Sequence, residues 1–510
     1  MAAISAFATW LIPYSHFIFF TVSLTLILLF VRKFKFQPWC GCHVCQGFLT
    51  ASWALKYNNL CDWYSHLLAQ SPTGTIHVHV LGNVITANPD NVEYILRTNF
   101  NNYPKGKPFS AILGDLLGFG IFNVDGDLWK FQRKMACLEL GSNSIRSYAY
   151  DVVESEIQTR LVPIMSAAAA AGRTVDLQDI FRRFSFDSIC KFSFGFDPGC
   201  LTPTLPVSEF AAAFDAASKL SAERAVVTSP VVWKVKRFLN VGSEKNLRRA
   251  IRSVHELAER VIRNRRDNLA GAGDGATSAS NGDLLSRFMS TTADDVFLRD
   301  IVVSFLLAGR DTVAAALTSL FWLLSQNPRV TKLIREESDK VIGDGGGRQS
   351  ENLNFRQLRE MHYLQAAVHE SMRLFPPVQL DSKFCRSGDV LPDGTPVAGG
   401  TRVTYHPYAM GRMAAIWGPD CTEFRPERWI KDGIFRQECP YRYPVFQAGP
   451  RVCLGKEMAI VEIKAVALSL IRRFDFEVGS LPSQGGPRFV PGLTATVRGG
   501  LPVVVRERED

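Results

Sequence analysis

No Asp, Glu, Lys or Arg occurs in residues 1–31 of this 510-residue chain. From about Leu11 to Val31 the run is almost continuously apolar, and about 20 such residues suffice for a helix to cross the hydrocarbon core of a bilayer. Arg32, Lys33 and Lys35 follow at once, which by the positive-inside rule puts that end in the cytosol. A cleaved signal peptide carries its positive charge ahead of the apolar run, and here the charge comes after it. The expectation is an uncleaved membrane anchor over 1–35, a juxtamembrane linker over 36–60 and one main domain over 61–510.

Other absences narrow the class further. The net charge is +9, but no dense basic run is interleaved with aromatics, so nucleic acid is not an expected partner. A mild positive excess suits a membrane surface or an acidic protein partner. The 11 cysteines are odd in number and spread out, which argues against a disulfide framework and for reducing surroundings. No flavin or nucleotide fingerprint follows a strand. No linker separates halves of different composition, although length alone would argue for about three domains. The stretch 267–283, rich in Gly, Ala, Ser and Asn, reads as a surface loop and not as a boundary.

What is present begins with Phe446-Gln-Ala-Gly-Pro-Arg-Val-Cys-Leu-Gly455, followed by a helix-prone apolar run from Met458 to Leu470. Backbone N–H groups at a helix start favour a thiolate at Cys453. Gly449 and Gly455 let the backbone approach a flat group, and Arg451 adds a fixed cation. A lone buried cysteine beside a helix is the plain structural alternative. A second stretch, Leu298 to Gln326, is a long apolar helical pattern interrupted by Ala308-Gly-Arg-Asp-Thr312. Glycine there costs about 1 kcal/mol against alanine, and a buried Asp needs a partner. Such an island points to function; a capped kink is the alternative. Trp129 and Arg133 stand four apart on one helical face, where both can donate to one anion or simply stack on each other. Glu370 and Arg373 also share a face, and Arg428 in Phe424-Arg-Pro-Glu-Arg-Trp429 offers a third charge.

Taken together, these motifs resemble the cytochrome P-450 superfamily. The resemblance implies a mainly α fold with small β-sheets, in one large domain behind an N-terminal transmembrane helix. It implies a haem-thiolate monooxygenase with haem b, whose iron takes Cys453 as axial ligand. Trp129 and Arg133 then meet the haem propionates, with Arg451 and Lys383 as further candidates. Gly309 leaves room for dioxygen, and a local widening of the helix frees a backbone carbonyl. The Thr312 hydroxyl hydrogen-bonds the oxygen being activated, and Asp311 passes protons in from solvent. Glu370, Arg373 and Arg428 form a buried charge triad that supports the cysteine loop. Oxygen is the co-substrate, and NADPH–cytochrome P-450 reductase is the implied electron donor, with Lys130, Lys134 and Lys456 as docking cations or ordinary solvated lysines. The implied location is the endoplasmic reticulum membrane.

Loops are expected over 101–109 and 114–126, the second carrying four glycines. Phe109, Leu113, Leu117 and Phe119 are substrate-contact candidates there, or else parts of a packed flap. Val378 and Leu380, after the helix-stopping Pro376-Pro377, are further candidates. Asn102-Tyr-Pro-Lys-Gly-Lys107, Arg182-Arg-Phe-Ser-Phe-Asp187 and Pro376-Pro-Val-Gln-Leu-Asp-Ser-Lys383 resemble the plant fatty-acid omega-hydroxylase clan. Trp39-Cys-Gly-Cys-His-Val-Cys45, Leu138-Glu-Leu-Gly-Ser142 and Gly492-Leu-Thr-Ala-Thr-Val497 resemble the branch that oxidises jasmonoyl-isoleucine. That likeness implies hydroxylation of a terminal carbon, continuing to the carboxylic acid and inactivating a hormone. A general fatty-acid omega-hydroxylase is the first alternative; a non-oxidative haem-thiolate isomerase or a haem-binding scaffold would not need Asp311 with Thr312. Cys42, His43 and Cys45 invite a zinc reading, but a closed site wants four ligands and no second pair stands nearby in sequence. A juxtamembrane turn with reduced or lipidated cysteines is the simpler expectation.

Overall fold

The computed structural model describes residues 20–25, 40–141, 143–205, 208–227, 229–271, 283–342, 355–479, 486–490 and 492–508. Residues 20–25 are helical, and the rest of the expected anchor lies outside the described residues. So does most of the expected 267–283 loop.

Helices dominate, and small sheets lie beside them. The largest sheet has four strands in the order Thr75–Val78, Asn83–Thr86, Arg402–Tyr405, Asp381–Phe384. Only the central pair, Asn83–Thr86 with Arg402–Tyr405, is parallel. Asn88 ends this strand–helix entry: its Oδ1 accepts from Asp90 N at 2.9 Å and caps Pro89–Glu93. A three-stranded sheet joins Phe474–Val478, Pro502–Glu507 and Thr174–Asp176.

The helical pattern from Leu298 to Gln326 forms the axis of the molecule. Asp294 caps it through Val296 N and Phe297 N, and helix runs from Asp295–Leu306 through a wide turn at Leu307–Asp311 into Thr312–Gln326. The helix is long and apolar enough to cross a membrane, but it is mostly buried inside the protein. Its two halves belong to different cores. Leu298 to Leu307 pack with Leu113, Phe214, Val254 and Phe288. Val313 to Leu324 pack with Phe181, Leu364, Val368, Ile463 and Leu470. The polar island falls where one core ends and the other begins.

One expected loop is a helix. Gly106–Leu117 is helical, because Phe109, Ile112, Leu113, Leu116 and Leu117 recur at helical spacing and find an apolar surface. Pro108 sits in the first turn, where a missing N–H costs nothing. Glycines and prolines at its start conceal that period. The true loop is shorter, from Gly118, and it is pinned to the axial helix: Phe119 N donates to Asp300 Oδ2 at 2.8 Å. Gly118 has φ +48°, and a Cβ there would meet Asp300 Oδ2 at 2.0 Å, so no other residue fits this contact.

Candidate functional site

The cysteine loop is built from its own backbone. Cys453 N donates to Phe446 O at 2.8 Å, and Val452 N donates to Gly449 O at 3.1 Å. Gly449 has φ +63°, and a Cβ there would stand 2.1 Å from Leu96 O. The loop runs directly into the helix Lys456–Arg473. Cys453 lies deep in the fold yet keeps free surface. Burial pushes its thiol up, while the Gly455 N–H, Arg133 and Lys456 favour the thiolate.

Arg133 faces the same space. It is half-buried on the helix Gly126–Leu140, and burial lowers its pKa while Cys137 and Cys453 raise it. Among the described residues its guanidinium has no ion-pair or hydrogen-bond partner. The Trp129 indole, one turn earlier, is buried, stacked under Arg451 at 4.4 Å, and its N–H has no acceptor among the described residues. A half-buried cation and an indole N–H, neither with a partner among the described residues, are placed to meet an anion. Together with a thiol that keeps free surface, this donor set fits a dianionic haem. Arg451 is committed differently: Nη2 bonds Val124 O at 2.9 Å and Asp125 Oδ1 at 2.7 Å.

Lys383 does not join this set. It is fully buried, and its ammonium is 2.8 Å from Asp381 Oδ2. Lys105 Nζ reaches Asp381 Oδ1 at 2.6 Å, and Gln447 Nε2 and the Tyr405 hydroxyl bond Oδ2 at 2.9 and 3.1 Å. Burial alone would raise the Asp381 carboxyl, but Lys105 and Lys383 hold it well below the usual carboxylate range. Burial brings Lys383 itself down to about 7. Lys383 thus sits in an internal ion cluster that reaches the cysteine loop through Gln447.

At the wide turn, the Thr312 hydroxyl donates to Ala308 O at 2.6 Å. Phe305, Ala308, Gly309 and Thr312 keep free surface on a helix that is otherwise mostly buried. Gly309 has a packing duty that spacing did not reveal: a Cβ there would meet Ile189 Cδ1 at 2.5 Å. The residue brings the axial helix close to Leu177–Phe194. Asp311 is buried, and Arg310 Nη1 bonds its Oδ1 at 2.8 Å. The same Nη1 bonds Asp215 Oδ1 at 2.7 Å, and Asp215 is 39% exposed. Burial pushes the Asp311 carboxyl up against the pull of Arg310. Arg310 and Asp215 therefore link a buried carboxyl to the surface; the sequence showed Arg310 only as the variable place in a motif, and Asp215 not at all.

Behind the loop, Glu370, Arg373 and Arg428 come together. Arg373 grips Glu370 with two bonds of 2.7 and 2.8 Å, and Arg428 Nε lies 3.4 Å from Glu370 Oε1. Two further donors were not legible in sequence: Trp429 Nε1 and Arg425 N, both at 2.9 Å.

The expected substrate contacts separate. Leu113 and Leu117 are buried in the apolar core and packed among helices. Phe109 is half-buried with Lys105 Nζ 4.2 Å above its ring. Phe119 is exposed, and Val378 and Leu380 keep partial surface. Of the lysines expected as docking cations or as ordinary solvated residues, Lys130 and Lys134 are exposed, Lys130 beside Asp127 at 3.0 Å, while Lys456 is half-buried over Phe446.

A family model described as cytochrome P-450 matches residues 63–489. Among curated proteins, cytochrome P-450 94C1 of Arabidopsis thaliana is 58% identical over 96% of this chain and 97% of its own length. Cytochrome P-450 94B3 of the same plant is 50% identical over 88% of each. Cytochrome P-450 94A1 of Vicia sativa is 43% identical over 88% of this chain and 87% of its own.

Proposed function

The chain belongs to the cytochrome P-450 family and is a haem-dependent monooxygenase, and on that premise we propose that it hydroxylates the terminal carbon of a carboxylate-bearing lipid. When bound, haem supplies the redox chemistry that uses dioxygen and NADPH-derived electrons to place one oxygen atom in a C–H bond. The observation that carries the oxygenase reading is the buried Asp311 carboxyl directly before a Thr312 hydroxyl at the wide turn. Cys453 is the residue to ligate the iron. Arg133 and the Trp129 N–H bind the propionates, and Arg451 stiffens Trp129 by stacking on it. Thr312 would turn its proton from Ala308 O toward the free surface it keeps beside the wide turn. Asp311 holds a proton more readily than an ordinary aspartate, because it is buried. Asp215 and Arg310 give that carboxyl a polar route to solvent.

The substrate is jasmonoyl-isoleucine or its 12-hydroxy derivative, with oxidation continuing to the carboxylic acid. The support is the likeness of the 39–45, 138–142 and 492–497 stretches to that branch, and near full-length similarity to the 94C1 protein. Phe119, Val378 and Leu380 are the contacts best exposed to meet it. NADPH–cytochrome P-450 reductase supplies the electrons, docking on the side that carries Lys130 and Lys134. The protein is held in the endoplasmic reticulum membrane by 1–35, with 36–60 as linker and 61–510 in the cytosol. Purified protein with that reductase and NADPH should convert jasmonoyl-isoleucine to alcohol and acid, followed by product mass spectrometry. Turnover of a medium-chain fatty acid with no turnover of the conjugate would leave a general omega-hydroxylase. Product without NADPH or oxygen would sink the monooxygenase reading.

A further inference from the structure

Away from the haem site, three thiols and an imidazole converge at the edge of the four-stranded sheet. The Sγ atoms of Cys40, Cys42 and Cys45 and the Nδ1 of His79 all lie within 4.8 Å of one another. Nδ1 is 3.4 Å from Cys40, 3.8 Å from Cys42 and 3.9 Å from Cys45. Zinc binds thiolate at about 2.3 Å and imidazole at about 2.0–2.1 Å, so a tetrahedral site requires S···N edges of about 3.5 Å. The three edges bracket that value. We propose that Cys40, Cys42, Cys45 and His79 hold one structural Zn²⁺ that clips the segment leading out of the membrane anchor to the sheet.

Position and surroundings support a closed site. Cys42 stands immediately before the helix His43–Leu49 and caps it: Cys45 N donates to Cys42 Sγ at 3.4 Å. N–H groups aimed at sulfur favour thiolates and orient them, as the outer partners of metal ligands do. His79 opens the short turn His79–Leu81 between the strands Thr75–Val78 and Asn83–Thr86, so the fourth ligand sits on a rigid hairpin. His77 stacks on it with ring centroids 5.5 Å apart. None of the three cysteines is in a disulfide. Thiols are weak hydrogen-bond donors, so three of them gathered on one ring nitrogen gain little without a cation. The sequence offers His43 as the nearby histidine; the fold passes it over and supplies one 34 residues beyond Cys45. On binding, three thiol protons leave as three Zn–S bonds form, the imidazole coordinates as the neutral base, and no electrons change hands. Four ligands leave no open position, so the role is structural rather than catalytic.

The test uses the full chain in detergent, purified through a tag without histidines and without chelators. Zinc and iron are measured together by mass spectrometry, and zinc X-ray absorption gives the ligand shell. The expected result is about one zinc per haem, with about three sulfur neighbours at about 2.3 Å and one nitrogen. Cys42→Ser and His79→Ala should each lose most of the zinc while keeping the reduced, CO-bound spectrum of a thiolate haem. If either variant fails to fold, the wild-type metal ratio and shell still decide. Wild-type protein with little zinc, a shell of oxygen and nitrogen only, or a native disulfide among the three cysteines would each overturn the proposal.

Discussion

Glu370 is the residue whose loss should cost the most. Its carboxylate is fully buried and accepts bonds from Arg373 Nε at 2.7 Å and Nη2 at 2.8 Å, from Trp429 Nε1 and Arg425 N at 2.9 Å, and from Arg428 Nε at 3.4 Å. Glu370→Ala removes every acceptor at once. Breaking one buried ion pair costs about 3–5 kcal/mol, because the surviving charge stays buried. The Trp429 and Arg425 N–H groups lose their acceptor as well, at about 1–3 kcal/mol each. These costs overlap, yet even the first alone rivals the lower end of the about 5–15 kcal/mol that holds an ordinary domain together. Trp429→Phe deletes one donor and keeps the ion pair, so it should cost about 1–2 kcal/mol and still fold. The assay is the reduced, CO-bound absorbance per unit of total protein, together with a thermal melt of whatever is soluble. Glu370→Ala should give little or no haem-loaded protein, Trp429→Phe a loaded protein with a lowered melt. A Glu370→Ala protein with full haem and a melt like the wild type would refute the reasoning, since nothing else nearby can take over five bonds.

Thr312→Ala should keep NADPH consumption and lose product, with product per NADPH falling roughly tenfold or more, while Thr312→Ser retains most of it; an unchanged ratio in the alanine variant rules out a role in proton delivery. Gly309→Ala should destabilise by about 1–3 kcal/mol through overpacking against Ile189, and adding Ile189→Ala should restore the melt; no recovery in the double variant means that the glycine serves the distal space and not the helix contact. Acid should weaken the fold early: burial pushes both His369 and His406 down to about 3, against 6.5 for an ordinary imidazole. Below pH 6.5 the unfolded chain takes up protons that the folded one refuses, so stability falls as pH falls, by about 2 kcal/mol per histidine at pH 5. Urea midpoints at pH 7 and pH 5 measure this, and a flat profile contradicts it.

What was legible in sequence was what lies within one turn of one helix or inside one loop. Trp129 with Arg133, Glu370 with Arg373, Asp311 with Thr312, and Cys453 between its glycines are all local spacings, and local spacing fixes which face a side chain occupies. What was not legible is assembled across the chain. The Asp381 cluster draws Lys105, Tyr405 and Gln447 from three other places and Lys383 from its own strand, so Lys383 looked like a free cation although Asp381, two residues before it, is its partner. The 106–117 helix was hidden by Gly106, Pro108 and Gly114, whose local preference the surrounding apolar surface overrides. Cys40, Cys42 and Cys45 looked incomplete because their fourth neighbour comes from a hairpin.

The polar island shows why a motif alone understates its own requirements. A guanidinium as buried as Arg310 cannot rest on the carboxylate next to it, since one contact leaves most of its donors without acceptors. Asp215 from the helix Glu209–Glu223 supplies a second acceptor, again at Nη1, while Nε stays buried without a partner among the described residues, and the Phe214 ring lies 5.5 Å from the guanidinium. Arg182, from the helix Leu177–Phe194, holds Asp215 in turn at 3.2 Å and Thr496 at 2.7 Å. The wide turn is thus tied to two flanking helices and to the strand Thr496–Val497, at the level where the two cores meet. Its position is therefore set by charge partners from outside the helix as well as by the Gly309 contact with Ile189. Substitutions at Asp215 and Arg182 should therefore act on the Asp311 carboxyl, although neither residue belongs to the motif that names it.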